Sequence, residues 1–349
     1  MMRGMNELFG TRIFVLVTGM FLVSVIGMPG CASEHKGTKA RGLPAGFDVR
    51  SVSMFNGHTG DRITWEQLQD VFDEADVVII GEQHGHPIGL PVAAAMFDDS
   101  IKRNEKTALS LEFFERDQQI AIDDYLANIT DEEQFKKVAN RTDGNYPAGH
   151  REMVEAAKAA GRSVIAANAP RRYIHIANTE GFDRLNELRP EQRALIVLPK
   201  TIPESGRYHD KFFELMSGIH GSNDGGPSSA DDAKKDADRM TEEEKAEAAK
   251  KEKELMERIT KMFRSQNTWD ATMADSVLRG VLEGYKPVVL VVGQFHSDFG
   301  GGIPNRLIEQ DSDLFIWTIS MQDAWSEELR DEDKDRADCV VYMGPADDN

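Results

Sequence analysis

The chain has 349 residues, 40% of them hydrophobic, and a formal charge of −19 at neutral pH. That length fits one large domain or two small ones. The acidity argues against nucleic acid as a partner, because phosphate binding needs a basic surface, and it offers no polybasic attraction to anionic lipid.

The first 31 residues read as an export signal. Arg3 and Arg12 lie on the N-terminal side of the apolar run Ile13 to Ile26, and Met28-Pro29-Gly30-Cys31 follows. A basic start, a short apolar core and a small residue before the cut describe secretion. A spanning helix needs ~20 apolar residues, more than this run supplies. Cysteine directly after glycine resembles the bacterial lipoprotein signal, in which that cysteine is lipidated. Met28 and Pro29 depart from the usual residues, so an ordinary secreted protein or an uncleaved anchor stays open. Cys31 is the expected lipidation site, with residues 32–46 as a polar tether. No acid follows Cys31, so the outer membrane is the expected location, facing periplasm or cell surface. Cys339 is the one other cysteine; with Cys31 lipidated, no intramolecular disulfide can form. Two cysteines also exclude a cysteine-rich metal or iron–sulfur site.

Elements then follow in order. Residues 47–64 read as a small hairpin, and Thr64 caps a helix through Leu68 and Val71. Val77-Val78-Ile79-Ile80 is a strand, and a helix runs from Pro87 to about Lys102. Thr107–Glu112 is a second strand, followed by a helix from Glu115 to Ala127. His150–Ala160, Gly161 and the strand Ser163–Ala167 form a crossover unit of a parallel sheet. Ala194–Leu198 is a candidate short strand. From His220 to about Arg258 the chain turns to Gly, Ser and Asp, then to Lys and Glu with opposite charges four apart. This stretch, about 220–265, is an inserted helical arm or lid, or equally a solvated surface helix. A helix Trp269–Glu283, a strand Pro287–Val292, a helix Ile303–Gln310 and late strands at Leu314–Ser320 and Cys339–Met343 complete the chain. The sum is an α/β fold, a mainly parallel sheet flanked by helices, over residues 47–320. An acidic extension with a possible edge strand occupies 321–349.

Two short strings carry one chemistry. Gly81-Glu82-Gln83-His84 follows the first strand, and Gly293-Gln294-Phe295-His296 follows Val288–Val292. Apolar β-branched runs of this length are strands buried on both faces. Glycine lets the chain leave the sheet at angles other residues avoid. Both histidines should therefore stand just past the carboxyl ends of parallel strands, where open α/β sheets place ligands. Leu109-Ser110-Leu111-Glu112 ends a third strand in an acid.

These strings, together with Leu111-Glu112 before Arg116 and Gln118-Gln119, Ala167-Asn168-Ala169-Pro170-Arg171 and Trp269-Asp270-Ala271-Thr272-Met273-Ala274, resemble the ChaN-type haem-binding lipoproteins of the Tiki/ChaN/erythromycin-esterase superfamily. The resemblance covers roughly Phe47 to Ser320. It implies a parallel sheet with a helical subdomain over the pocket, and haem or iron uptake at the cell surface. Related branches use the two strings and the acid for hydrolysis or metal binding, and this chain keeps both strings.

His84 and His296 suit Zn, Mn, Co or haem iron. Glu82 and Glu112 complete a metal set with them, or serve a metal-dependent or metal-free hydrolase as catalytic bases. The alternative is that these groups only hydrogen-bond one another. His86 is expected at the rim. Arg171 or Arg172 could pair a carboxylate such as a haem propionate; the alternative for both is a surface salt bridge, which weighs more for Arg172 than for Arg171. Gly300-Gly301-Gly302 could face an anion or be a simple loop. Tyr208, His209 and His220 in the lid, with Tyr146 and Tyr173, are axial-ligand candidates for haem iron, although each singly reads as a packing residue. Met216, Met256, Met262 and Met273 fit a haem wall or plain core. An apolar lid face would favour a homodimer with haem between the copies.

Overall fold

The computed structural model describes residues 46–142, 144–221 and 241–346, with the backbone alone for 219–221. The export signal, Cys31, nearly all of the tether, the His220 side chain and the run at 222–240 lie outside the described residues. Along the chain come β1 (Ser53–Asn56), α1 (Trp65–Glu74), β2 (Val77–Glu82), α2 (Gly89–Arg103), β3 (Ala108–Glu115), α3 (Gln119–Leu126), α4 (Glu132–Val138), α5 (Ala148–Ala160) and β4 (Val164–Asn168). The second half adds α6 (Arg171–Thr179), α7 (Phe182–Asn186), α8 (Pro190–Arg193), α9 (Arg207–Gly221), α10 (Glu242–Leu282), β5 (Val288–Gly293), α11 (Ile303–Gln310), β6 (Ile316–Gln322) and β7 (Cys339–Tyr342).

The seven strands make one sheet in the order β1-β7-β6-β2-β5-β3-β4. Every pairing is parallel except that of β1 with β7. β2 and β5 are the two most apolar runs, buried along their whole length, so they occupy the middle and pair directly. Val78, Ile80, Val289 and Val291 point to α1, α2 and α5. Val77, Ile79, Leu290 and Val292 point to the core half of α10 and to α11. Each such buried aliphatic side chain contributes about 1.5–3 kcal/mol, and together they lock the register that aligns the two strings.

Local chemistry sets the element ends. Thr64 accepts from Gln67 N–H while the Gln67 side chain accepts from Thr64 N–H, closing a capping box on α1. Gly161, at φ +65, ends α5 in the left-handed conformation.

Several elements differ from the sequence reading; β3 runs on to Glu115, so that α3 begins at Gln119 and not at Glu115. The helix expected at Trp269 starts at Glu242, because no proline or glycine interrupts it before Gly280. The charged arm and the core helix are thus one rod of about 60 Å, solvated at first and buried from Ile259 onward. Ala194–Leu198 is not a strand: Val197 N–H donates to Thr272 Oγ1, and Ile196 packs on α6 instead of joining the sheet. The last strand is not at an edge. β7 is buried on both faces and sits between β6 and β1, so the C-terminal extension completes the sheet.

Candidate functional site

The two strings lie side by side at the carboxyl end of the sheet, with Glu82 in register with Gly293. Their glycines act through size. Gly293 has φ −57, open to any residue, but a Cβ there would stand 3.0 Å from His84 Nε2 and 3.6 Å from Glu112 Oε2. A Cβ on Gly81 would stand 2.7 Å from Ser297 Oγ and 2.9 Å from Gln294 Cα. Each glycine makes room for the other string, and at Gly81, against the Gln294 backbone, the approach is too close for a Cβ. The expected backbone role is replaced by this steric one.

Each histidine is held by an acid at Nδ1. Glu82, the last residue of β2, lies 2.7 Å from His84 Nδ1; its side chain is fully buried, whereas that of His84 is 26% exposed. Asp270, on α10, lies 2.5 Å from His296 Nδ1, and both are buried. Glu112 stands between the pairs. Its Oε2 accepts from Gly293 N–H at 2.7 Å, and its Oε1 lies 3.7 Å from His296 Nε2. A register shift after Leu111 carries β3 on to Glu115, so Glu112 is inside the strand and not its last residue.

The residues His84, His296, Glu82 and Glu112 therefore do not form one set: Glu82 pairs with His84, Asp270 pairs with His296, and Glu112 accepts from Gly293 N–H beside His296. Among the described residues no three His, Cys, Asp or Glu side chains are grouped to hold a metal ion.

A third imidazole, not singled out from the sequence, backs the first pair. His150 is fully buried, 3.8 Å ring to ring from Phe113, and its Nε2 lies 4.0 Å from Glu82 Oε1. Neither ring nitrogen of His150 nor Glu82 Oε2 has a hydrogen-bond partner among the described residues. Buried groups left so are rare and costly. Burial, with His84 and Arg141 adding to it, pushes the His150 imidazole down to about 3.

The lid candidates lie on α9. Tyr208 donates to Asp270 Oδ2, extending the second pair to Glu112, His296, Asp270 and Tyr208 in line. Burial first, then the Asp270 charge, raises the Tyr208 phenol well above 10. Around it Phe212, Phe263 and Phe295 make an aromatic seat, and Gly301 closes on the Tyr208 side chain. The Gly300–Gly302 loop thus seats the lid. His209 stacks on Phe213 at 4.1 Å and bonds Asp210 through Nδ1. Met216 and Met262 join this cluster, and Met256 is exposed beside it; Met273 is plain core.

The other candidates stand apart from both pairs. Arg171 is 72% exposed, with Glu115 at 3.8 Å, and Arg172 bonds Asp117. Tyr146 packs against Phe114 and Phe135, and Tyr173 against α6 neighbours. His86 is buried and not at the rim: it accepts from the Ile88 and Gly89 amides and bonds Gly344 O, fixing the start of α2. Sequence reasoning missed the roles of Asp270, Gln266 and His150. The signal for the first two was present, as Ser265-Gln266-Asn267-Thr268 and Asp270 form a buried polar run within an amphipathic helix.

A mainly parallel α/β sheet carrying two acid-held Gly-x-x-His strings under a helical seat defines the class. The family model described as "Haem-binding uptake, Tiki superfamily, ChaN" matches residues 68–307, and the chain belongs to that family. Among solved structures it is similar to "Cofacial heme binding to ChaN of Campylobacter jejuni", at TM-score 0.59 and 18% identity, over 84% of this chain and 97% of that one. Weaker likenesses include an erythromycin esterase, EreC, in its open conformation (TM-score 0.39, 12% identity, 74% and 72% covered) and the type III effector HopBA1 (0.39, 13%, 85% and 98%). No curated protein matches the chain.

Proposed function

We propose that the chain carries haem on the aromatic face of α9 and serves haem or iron uptake as an exported lipoprotein. The family match over residues 68–307 carries this reading. The chemistry of the lid fits the group. Haem needs a broad apolar wall and an axial N or O donor, and α9 offers Phe213, Met216 and the 47% exposed Leu215 beside Tyr208 and His209. Iron held there would supply haem's ligand or redox chemistry; the protein supplies the wall and the donor. His209 is the favoured ligand, because Asp210 orients its ring through Nδ1, whereas the Tyr208 hydroxyl is engaged by Asp270 and its proton is hard to remove. His84 and His296 are further candidates for haem iron. Arg171 is a less apt propionate partner than its sequence position suggested, since it faces Glu115. Leu215 on α9 and Met256 on α10 are exposed apolar side chains, and a homodimer with haem between the protomers belongs to the reading. Lipidation of Cys31 would place the protein in the outer membrane, facing periplasm or cell surface; fractionation of wild type against Cys31→Ala tests it.

Titrating the full chain with haem tests the main reading. A saturable Soret change at one or two haems per chain supports it, and a folded chain that leaves the haem spectrum unchanged overturns it.

A second reading rests on a separate observation. The acid-held imidazoles of His84 and His296 converge near Glu112 and Gly293, an arrangement able to activate water for ester or peptide hydrolysis. Zn, Mn or Co bound to His84, His296, Glu82 and Glu112 would need those side chains to regroup. Hydrolysis that survives chelator and is lost in Glu112→Gln would support the metal-free form. Hydrolysis that a chelator abolishes would support the metal form.

A further inference from the structure

β4 is the edge strand beyond β3, three places from β2. Just before it, Ser163 C=O accepts from Leu109 N–H of β3, so Val164 and Ala166 turn their backbone groups away from the sheet. An edge of this kind pairs with an extended chain unless something covers it. The Gln119 side chain covers it here. Its Nε2 donates to Val164 O at 2.8 Å, and its Oε1 accepts from Ala166 N–H at 2.7 Å. Those are the two bonds that one residue of a parallel neighbouring strand makes.

A cavity of about 450 Å³ lies beside this edge, with Gln119 and the residues from Ser163 to Ala166 in its wall. Its two ends differ in charge. Arg116 marks one end, its side chain 8% exposed. Arg116 Nε donates to Ser276 Oγ, and Nη2 donates to Thr272 O and Asp275, whereas Nη1 has one long bond among the described residues, 3.5 Å to Ala194 O. Ser276 also donates to Ala167 O, which places Arg116 beside the carboxyl end of β4. Asp275 pairs with Arg279 as well, at 2.8 Å, so two guanidinium groups share one carboxylate. Burial first, and Arg279 with it, hold the Arg116 pKa below its ordinary value against the pull of Asp275. The other end carries acids. Asp123 stands one turn beyond Gln119 on α3, and Glu283 lies two residues before Tyr285, which bonds Ser163 at 2.7 Å.

We propose that the β4 edge binds a short peptide with a free carboxyl end. The peptide runs parallel to β4 and takes over the two bonds that Gln119 makes, in the manner of strand addition. Its carboxylate meets Arg116 Nη1 and Arg279, a charge-assisted contact, and its ammonium group meets Asp123 and Glu283. From Ser163 to Ala166 the edge spans about 10 Å, the length of roughly three residues. The pairing is to main chain, so the ligand is defined by its length and its two ends, not by its side chains. The site is separate from the two strings and does not depend on the haem reading.

Titration calorimetry of the full chain tests the assignment, with trialanine and with the same peptide carrying a C-terminal amide. Trialanine should bind saturably at one site, and the amide at least tenfold more weakly. Gln119→Ala removes the competing amide and leaves Arg116 in place, so it should bind trialanine at least threefold more tightly with unchanged circular dichroism. The Ala166 amide resonance of wild type should shift along the same titration. Trialanine that fails to bind the folded chain, an amide that binds as well as the acid, or an affinity unchanged or lowered in Gln119→Ala overturns the assignment. Where Gln119→Ala does not fold, the acid–amide comparison on wild type decides alone.

Discussion

The first and second strings have the same spacing, leave adjacent strands and hold a histidine through an acid, yet they end in different surroundings. His84 is 26% exposed, and beside it His150 and Glu82 carry buried polar atoms without hydrogen-bond partners among the described residues. His296 is 1% exposed and enclosed by Asp270, Gln266 and Glu112, with Tyr208 bonded behind. The motif fixes where a histidine stands; the neighbouring helix decides whether it meets solvent or is enclosed. On this comparison the first string is the open end of the sheet, and the second seats the lid.

Breaking the second joint should cost the most stability. His296→Ala leaves Asp270 buried with Tyr208 as its main remaining partner, and should lower unfolding free energy by about 3 kcal/mol in urea titration. His84→Ala also leaves a buried carboxylate, Glu82, without its hydrogen bond, but the vacated space opens to solvent, so the loss should be smaller, about 1–2 kcal/mol. Equal losses at the two positions would remove the distinction.

Acid sharpens the same contrast. His150 stays neutral in the fold down to about pH 3, whereas in the unfolded chain it takes up a proton near pH 6.5. Its contribution is complete above 6.5 and is lost as pH falls from 6.5 towards 3, at about 1.4 kcal/mol per pH unit. His150→Phe keeps a ring against Phe113 and should flatten that acid limb in thermal melts across pH, with little loss at pH 7. An unchanged limb would mean that another group governs it.

The glycines give a smaller contrast. Gly81→Ala pushes Cβ against the Gln294 backbone and should cost about 2 kcal/mol. Gly293→Ala meets the rim of the His84 ring, a side chain that can turn, so its stability should change less while His84 is displaced. Urea midpoints and the His84 imidazole resonances would separate the two outcomes.

Much of the fold was legible because its central strands are unbroken β-branched runs and its helices carry clear caps and apolar faces. Val77–Ile80 and Val288–Val292 announced the middle of the sheet, and Thr64 and Gly161 announced helix ends. The place of β7 was not legible: four apolar residues near an acidic terminus look alike at an edge or inside until their partners are known. Within the site, Glu82, His84 and His296 were placed together by their strand ends, whereas Glu112 reaches them from within β3, which runs on to Glu115. Asp270 and His150 were not legible, because their roles arise where α10 and α5 cross those ends, and sequence spacing does not report crossings. The fusion of the charged arm with the core helix was hidden by the change in surface chemistry near Leu255, which marks where the helix enters the protein and not where it begins.

The most direct test of haem carriage on α9 is a visible-spectrum haem titration of three full-length forms: wild type, His84→Ala and His209→Ala. The account predicts a saturable Soret band in wild type and His84→Ala, and a weakened, shifted band in His209→Ala. A band lost in His84→Ala and intact in His209→Ala would contradict it and place haem at the strand ends.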